Sequence, residues 1–305
     1  MAMIITRTPF RISFAGGGTD LKAYYAKEAG KVISTSIDKY IYVVIKRQIG
    51  IVEHKYRINW SKVEFKDSID EIEHPIVREA LRLFGIDFPI EITTFTDIPG
   101  QTGLGSSSAF AVGLVHALHA LKGEMVSKNT IASTAAHIEV DILERSMGKQ
   151  DHYASAYGDL NTFTFNKDGT VTIEPVLYRP EVRTLIEKNL NLFYLKSKRD
   201  ASKILEIQEK NTPQIFDNLS QLKTFVDPMR EIFSSGLDIH KFGELLHQSW
   251  IIKKSLTDVI SSTEIDSYYK KALDSGAVGG KLLGAGGGGF LLLYVEENNQ
   301  QHVID

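Results

Sequence analysis

Three glycine clusters each stand beside polar side chains suited to phosphate: Ala15-Gly16-Gly17-Gly18-Thr19-Asp20, the segment from Pro99 to Ala109 containing Gly103-Leu104-Gly105-Ser106-Ser107-Ser108, and Gly284-Ala285-Gly286-Gly287-Gly288-Gly289. Glycine lets backbone N–H groups approach an anion with no side chain in the way. The second cluster follows a strand-like run and opens a helical one. Free amides, the positive end of a helix dipole and three serine hydroxyls therefore converge at one point. That is a phosphate cradle with hydroxyls available to a magnesium ion. The competing reading is that Ser106 to Ser108 only cap a helix after a tight turn. No Gly-Lys pair carries the flanking glycine and serine or threonine of a P-loop, and Gly103-Leu104-Gly105 lacks the third glycine of a dinucleotide fingerprint. Neither His-Arg-Asp nor Asp-Phe-Gly occurs, which removes protein-kinase machinery.

The conjunction of Pro9-Phe10-Arg11 and Asp20, Pro99 to Ala109, and Gly284 to Gly289 resembles the three motifs of the GHMP kinases. Within that superfamily the segments Arg11 to Asp20, Gly148-Lys149-Gln150-Asp151 and Gly279 to Ala285 are most similar to the D-glycero-D-manno-heptose 7-phosphate kinases. His247-Gln248-Ser249-Trp250 and Lys253-Lys254-Ser255 fit the same subgroup. The resemblance implies an α+β, two-domain fold: an N-terminal domain with a left-handed βαβ crossover, against the right-handed rule, and a ferredoxin-like C-terminal domain, with the site between them. It implies transfer of the γ-phosphoryl of ATP to the anomeric hydroxyl of D-glycero-D-manno-heptose 7-phosphate. A 1-kinase of another sugar, such as fucose or a hexose, and a nucleotide-binding regulator without catalysis are the alternatives.

The resemblance also implies roles. Asp151 is the base, against a reading as an N-cap, and Arg11 stabilises the transferring phosphoryl beside it. Asp20 takes sugar hydroxyls, against a reading as a surface turn, with Gly17, Gly18, Thr19 and Lys149 as further substrate contacts. Gly103, Leu104, Gly105, Ser106, Ser107, Ser108, Gly286 and Gly287 hold ATP, while Ser107 and Glu139 hold Mg2+. Glu139 precedes Asp151 by twelve residues, and Asp141 and Glu144 on the same helix are its rivals. Lys149, next to the base, and Lys281, just ahead of the third glycine cluster, are the cations better placed for an anion; Lys198, Arg199, Lys253 and Lys254 are cations placed for a substrate phosphate or for solvent. Two departures stand out. His152 replaces the usual glutamine after the aspartate, and ten residues follow Val295 where such kinases usually continue through a helix and a strand, so the C-terminal sheet is expected to lack an edge.

The elements that must position these residues are read from periodicity. Strands are predicted from Ile4 to Ile45, at Tyr56–Trp60, Val63–Phe65, Ile90–Thr96, Leu160–Phe165, Val171–Val176, Leu190–Leu195 and Phe290–Val295. Pro75 opens a short helix stopped at Gly85, and another runs from about Ser108 to Lys122. Ile131, Ala135, Ile138 and Ile142 form one apolar stripe of a helix from Asn129 to Ser146, with Glu139 at its edge. Residues 201 to 275 read as mostly helical, which sets a domain division at 1–195 and 196–305. His116 and His119 read as packed or surface histidines, since no third ligand accompanies them.

Composition fits an ordinary globular chain: 305 residues, 43% hydrophobic, with 35 basic against 38 acidic side chains. A net charge of −3 argues against a nucleic-acid partner. The absence of cysteine removes disulfides and thiolate chemistry. No secretory signal or membrane span is read, so a cytoplasmic protein, with a homo-oligomer left open, is the expectation.

Overall fold

The computed structural model describes residues 3–196 and 201–305. In chain order the elements are β1 (Ile4–Ala15), α1 (Lys22–Tyr25), β2 (Gly30–Arg47), β3 (Tyr56–Asn59), β4 (Val63–Lys66), α2 (Pro75–Leu83), β5 (Ile90–Thr96), α3 (Ser106–Leu121), α4 (Lys128–Ala136), α5 (Gln150–Tyr157), β6 (Leu160–Phe165), β7 (Val171–Pro175), α6 (Pro180–Asn189) and β8 (Leu190–Tyr194). Next come α7 (Ala201–Asn211), α8 (Phe216–Thr224), α9 (Val226–Ser235), α10 (His240–Ser255), α11 (Thr263–Asp274), β9 (Gly279–Leu282), β10 (Phe290–Tyr294) and α12 (Gln300–Ile304).

A seven-stranded sheet runs β4-β3-β5-β2-β6-β7, with β1 on the other edge of β2. The 18-residue β2 holds this sheet together: Ile41 to Arg47 pair with β5 and Gly30 to Thr35 with β6. β3 and β5 lie parallel, joined through β4 and α2. The register of β1 against β2 shifts between Pro9 and Arg11. The step from Tyr40 to Ser36 on β2 is longer than that from Pro9 to Arg11 on β1, so the extra residues of this bulge belong to β2 and lie opposite Arg11.

The second sheet has the order β8-β10-β9. Phe290 to Tyr294 reads as an unbroken apolar run because β10 is covered on both faces. Leu291 and Leu293 pack with Trp250 and Tyr269, while Leu292 and Tyr294 join the core that reaches Phe14 and Phe242. Residue 195 is not where this sheet begins. β8 pairs along its whole length with β10, so the sheet starts at Leu190, ahead of the expected division. β9, which reads as loop from Gly279-Gly280, is a strand because β10 and α10 cover it. α6 has Pro180 at its first position and buries only Val182 and Ile186, too weak a stripe to show in the pattern.

The helix predicted from Asn129 to Ser146 ends early. α4 stops at Ala136, and His137 to Ile142 wind on as a π-helical turn in which the N–H of Leu143 donates to Ile138 O at 3.0 Å. Widening the turn from four residues to five rotates the side chains beyond it off the stripe. Ile142 is left 36% exposed, and Glu139 becomes completely buried. Among the described residues, no helix is long and apolar enough to cross a membrane.

Candidate active site

The centre of the site is a forked ion pair. Arg11 donates from Nε to Asp151 Oδ1 at 2.7 Å and from Nη2 to Oδ2 at 2.6 Å, and its Nη1 donates to Gly103 O at 2.8 Å. One side chain thus ties β1, at its register shift against β2, to α5 and to the loop ahead of α3. Asp151 lies in the first turn of α5, whose N-cap is Lys149 with no capping side chain, so Asp151 is not the N-cap.

Two cavities meet at this pair. The first is lined by Asp20, Gln150, Lys253 and Lys281 and by the first glycine cluster. The second is lined by Gly100, Gln101, Gly103, Gly105 and Ser106 to Ser108, by Arg145 and by an outer aromatic wall. Arg11, Asp151, Gly284 and Ala285 line both.

In the first cavity Asp20 is 2% exposed, not a surface turn. It accepts from Gly18 N at 3.0 Å, from Gln150 N at 3.1 Å and from Gln150 Nε2 at 2.9 Å. Burial and then the nearby Asp151 charge push its pKa up, against the backbone bonds that hold it down. Gly148 permits this wrap, since a Cβ there would lie 1.8 Å from Asp20 Oδ2. Gly148→Ala is therefore expected to displace Asp20 and the start of α5 and to lower turnover while a spectroscopic melt stays cooperative; unchanged turnover would show that Asp20 is dispensable. Ser13 Oγ and Gln150 Oε1 are buried here with no hydrogen-bond partner among the described residues. They are open hydrogen-bonding positions in a lined cavity.

In the second cavity the loop 100–105 delivers α3. Gly103, at φ +84°, abuts Gly284: a Cβ on Gly103 would lie 2.6 Å from Leu283 O, so the second and third glycine clusters close on each other here. Gly105 is the left-handed N-cap of α3, and the amides of Ser106, Ser107 and Ser108 form its first turn. Leu104 points into the core with no exposed surface, and its carbonyl accepts from Arg11 N at 3.2 Å.

Glu139, brought in by the π turn, meets Ser107 and His152. Its carboxylate accepts from Ser107 Oγ, from Arg145 Nη1 at 2.5 Å and from His152 Nε2 at 2.9 Å. Burial alone would raise its pKa; the bond and charge of His152, with Ser107 and Arg145, outweigh that and hold the carboxyl below its ordinary value. Arg145 Nη1 also reaches Ser107 Oγ at 2.9 Å. The Arg145 guanidinium thus bridges the Ser107 and Glu139 oxygens. Of the alternatives to Glu139, Asp141 pairs with His137 on the surface, and Glu144 lies beyond the π turn.

Several expected residues stand elsewhere. Lys149 Nζ turns out toward Gly169 O at 3.3 Å and lines neither cavity. Thr19 is wholly buried, its hydroxyl donating to Gly16 O at 2.7 Å, and so braces the first glycine turn. Gly286 and Gly287 back onto Ile260, where Gly287 N donates to Ile260 O at 2.8 Å; Gly284 and Ala285 are the members of that cluster that face the cavities. Lys198 and Arg199 lie outside the described residues. Lys254 pairs with Asp266.

Other lining residues carry little sequence signal. Arg145 shows none beyond a positive charge past a helix. Trp60, His74 and Phe110 form the aromatic outer wall of the second cavity, with ring centroids 4.7 Å and 4.9 Å from His74. Burial pulls the His74 pKa down to about 4, so the ring is neutral and its Nδ1 can accept from Val77 N at the start of α2.

Comparisons with known proteins agree on the family and differ on the substrate. A family model described as the GHMP kinases N terminal domain matches residues 74–159, and one described as GHMP kinases C terminal matches residues 229–305. Over 303 residues the chain is 29% identical to the D-glycero-alpha-D-manno-heptose 7-phosphate kinase of Campylobacter jejuni, covering 94% of this chain and 87% of that one. It is 23% identical to the galactokinase of Pyrococcus furiosus, again over 94% and 87%. The crystal structure of a D-glycero-D-manno-heptose 1-phosphate kinase from Bacteroides thetaiotaomicron superposes with a TM-score of 0.79 at 22% identity, over 99% of this chain and 91% of that one, a likeness of fold.

Proposed function

We propose, for a chain that belongs to the GHMP kinases and is therefore a phosphotransferase acting on an alcohol group with ATP as co-substrate, that the acceptor is D-glycero-D-manno-heptose 7-phosphate and the reacting group its anomeric hydroxyl. The observation that carries this reading is the Arg11–Asp151 pair at the junction of the two cavities. The likeness to a heptose 7-phosphate kinase along most of the chain supports the choice of sugar.

The proposed chemistry uses residues on both sides of the pair. Asp151 accepts the proton of the acceptor hydroxyl as its oxygen bonds to the γ-phosphorus; the bond to the β–γ bridging oxygen breaks and ADP leaves. Arg11 offsets the charge that develops on the transferring group. Asp20, Ser13 and Gln150 supply hydrogen-bond partners for the sugar hydroxyls. The α3 amides and Ser106, Ser107 and Ser108 cradle the triphosphate, with Gly103, Gly105 and Gly284 giving it backbone access. Ser107 and Glu139 would hold Mg2+, which prefers such hard oxygen ligands and, when bound, neutralises triphosphate charge. Arg145 then has to give up its bridge, and at 33% side-chain exposure it is free to turn toward the phosphates.

Glu139→Gln and Ser107→Ala are expected to raise the Mg2+ concentration for half-maximal rate and to weaken Mn2+–nucleotide binding measured by electron spin resonance. The double variant should lose less than the two singles combined, since both act on one ion. Identical metal dependence in both variants would place the ion elsewhere.

The acceptor assignment is tested by coupled ADP-release assays on heptose 7-phosphate, unphosphorylated heptose and a panel of free hexoses and fucose. Catalytic efficiency should fall by about 100-fold or more without the remote phosphate, because its charge-assisted bonds help hold the reacting hydroxyl in place. Equal efficiency on a free sugar would make the chain a general sugar 1-kinase. Raising ionic strength should raise KM for the phosphorylated sugar more than for a neutral one.

A further inference from the structure

The acceptor cavity contains two cations to which the proposed transfer gives no task. Lys281, on β9, is 5% exposed, and its Nζ donates to Phe14 O at 2.8 Å. Lys253, on α10, donates to Leu282 O at 3.3 Å and to Gly284 O. Among the described residues neither forms an ion pair, so both ammonium groups have backbone carbonyls as their partners. Taking an ammonium out of water without a counter-charge is expensive. Burial, joined by the Arg11 charge and opposed by Asp151, brings the Lys253 pKa down to about 8. Burial, joined by the charges of Lys253 and Arg11, brings Lys281 well below its ordinary value. Both lysines line the first cavity, with Asp20, and neither lines the second, with the glycine loop.

We propose that Lys253 and Lys281 together form the seat for a phosphomonoester carried by the acceptor, and so select a sugar that is already phosphorylated. The proposal rests on the sugar-kinase reading for the acceptor's identity and on the two cavities for the side of the site it occupies. An entering dianion supplies the missing counter-charge and favours both ammonium forms. Binding near pH 8, where Lys253 is half-protonated in the free protein, therefore takes up protons. The other charged groups facing the lysines are Arg11 and Asp151, paired to each other, and Asp20, a buried carboxyl that accepts from Gly18 and Gln150, so the uptake is assigned to the lysines only where it shrinks in their variants.

The experiment is calorimetric titration of the full chain, without nucleotide, with heptose 7-phosphate, the unphosphorylated heptose and inorganic phosphate, and separately with ATP. Lys281→Met and Lys253→Met keep the aliphatic stem and remove a buried charge, so both should fold. Each is expected to weaken the phosphosugar by about 10- to 100-fold, the worth of a lost charge-assisted bond, and to leave the free sugar and ATP unchanged. Proton uptake, read from the dependence of the heat on buffer, should shrink in both. Unaltered phosphosugar affinity in both variants would overturn the seat, and an equal loss for ATP would assign the lysines to the nucleotide and overturn it as well. Should Lys281→Met fail to fold, the less buried Lys253 carries the same comparison. If the parent phosphorylates no sugar phosphate, the acceptor reading fails, and inorganic phosphate binding to parent and variants still decides the seat.

Discussion

Asp151→Asn is expected to lower turnover by about 10²- to 10⁴-fold at saturating acceptor, the usual span of general-base assistance, with ATP affinity unchanged. The carboxylate receives both arms of the Arg11 fork at 2.6 Å and 2.7 Å, an arrangement that fixes its plane at the meeting point of the cavities. An amide keeps the shape, accepts through one oxygen only and sets its NH2 against a guanidinium donor, so it can neither take the acceptor's proton nor complete the fork. Because the carboxylate is assigned to the acceptor hydroxyl, the ATP dissociation constant, measured by titration without acceptor, should stay at the parent value. Near-parental turnover would remove Asp151 from the chemistry. A loss of only a few-fold would leave it a positioning role.

Arg11→Met is the second large effect, and it has two readouts. Turnover should fall by about 10²- to 10³-fold, because an electrostatic contact to the transferring group is gone. Stability should fall too. Arg11 is 5% exposed along its side chain and Asp151 18%, so the variant leaves a largely buried carboxylate without its cation and Gly103 O without a donor. The cost should lie toward the low end of about 3–5 kcal/mol, since Asp151 keeps some contact with water. Combining Arg11→Met with Asp151→Asn should recover part of that loss in a denaturant melt while activity stays at the floor. A double variant no more stable than Arg11→Met alone would show that the pair is not what the fold loses.

Local pattern was legible, and direction was not. β3, β4, β5 and β6 fall within a residue or two of their predicted spans, because alternation and β-branching report directly on a half-buried pleat. Asp151, Arg11, Asp20, Glu139 and Ser107 all stand out from motif spacing; all but Glu139 line the two cavities, and Glu139 is buried behind Ser107 and Arg145. The burial of Glu139 was hidden, since a straight helix through Ile131, Ala135, Ile138 and Ile142 puts it at the edge of the stripe; the π turn that rotates it in is an added residue no period reveals. His152, a departure in the motif, turns out to bond Glu139, a partner 13 residues away on a different element. Lys149 and Lys281 look alike in the sequence as cations beside motifs. Lys149 keeps to the outer side of the α5 start, whereas Lys281 sits on a strand that packs against Phe14, so tertiary direction separates them. Arg145, Trp60 and His74 come from three separate segments and meet only in the fold.

The most direct measurement is phosphorus NMR of the reaction of this chain with ATP, Mg2+ and D-glycero-D-manno-heptose 7-phosphate. A new resonance from a phosphate on the anomeric carbon is expected, growing one-for-one with ADP while the 7-phosphate signal persists, with no such growth for Asp151→Asn on the same timescale. Consumption of ATP without an anomeric phosphate, transfer to a different hydroxyl, or equal transfer to the unphosphorylated heptose would contradict the proposed transfer.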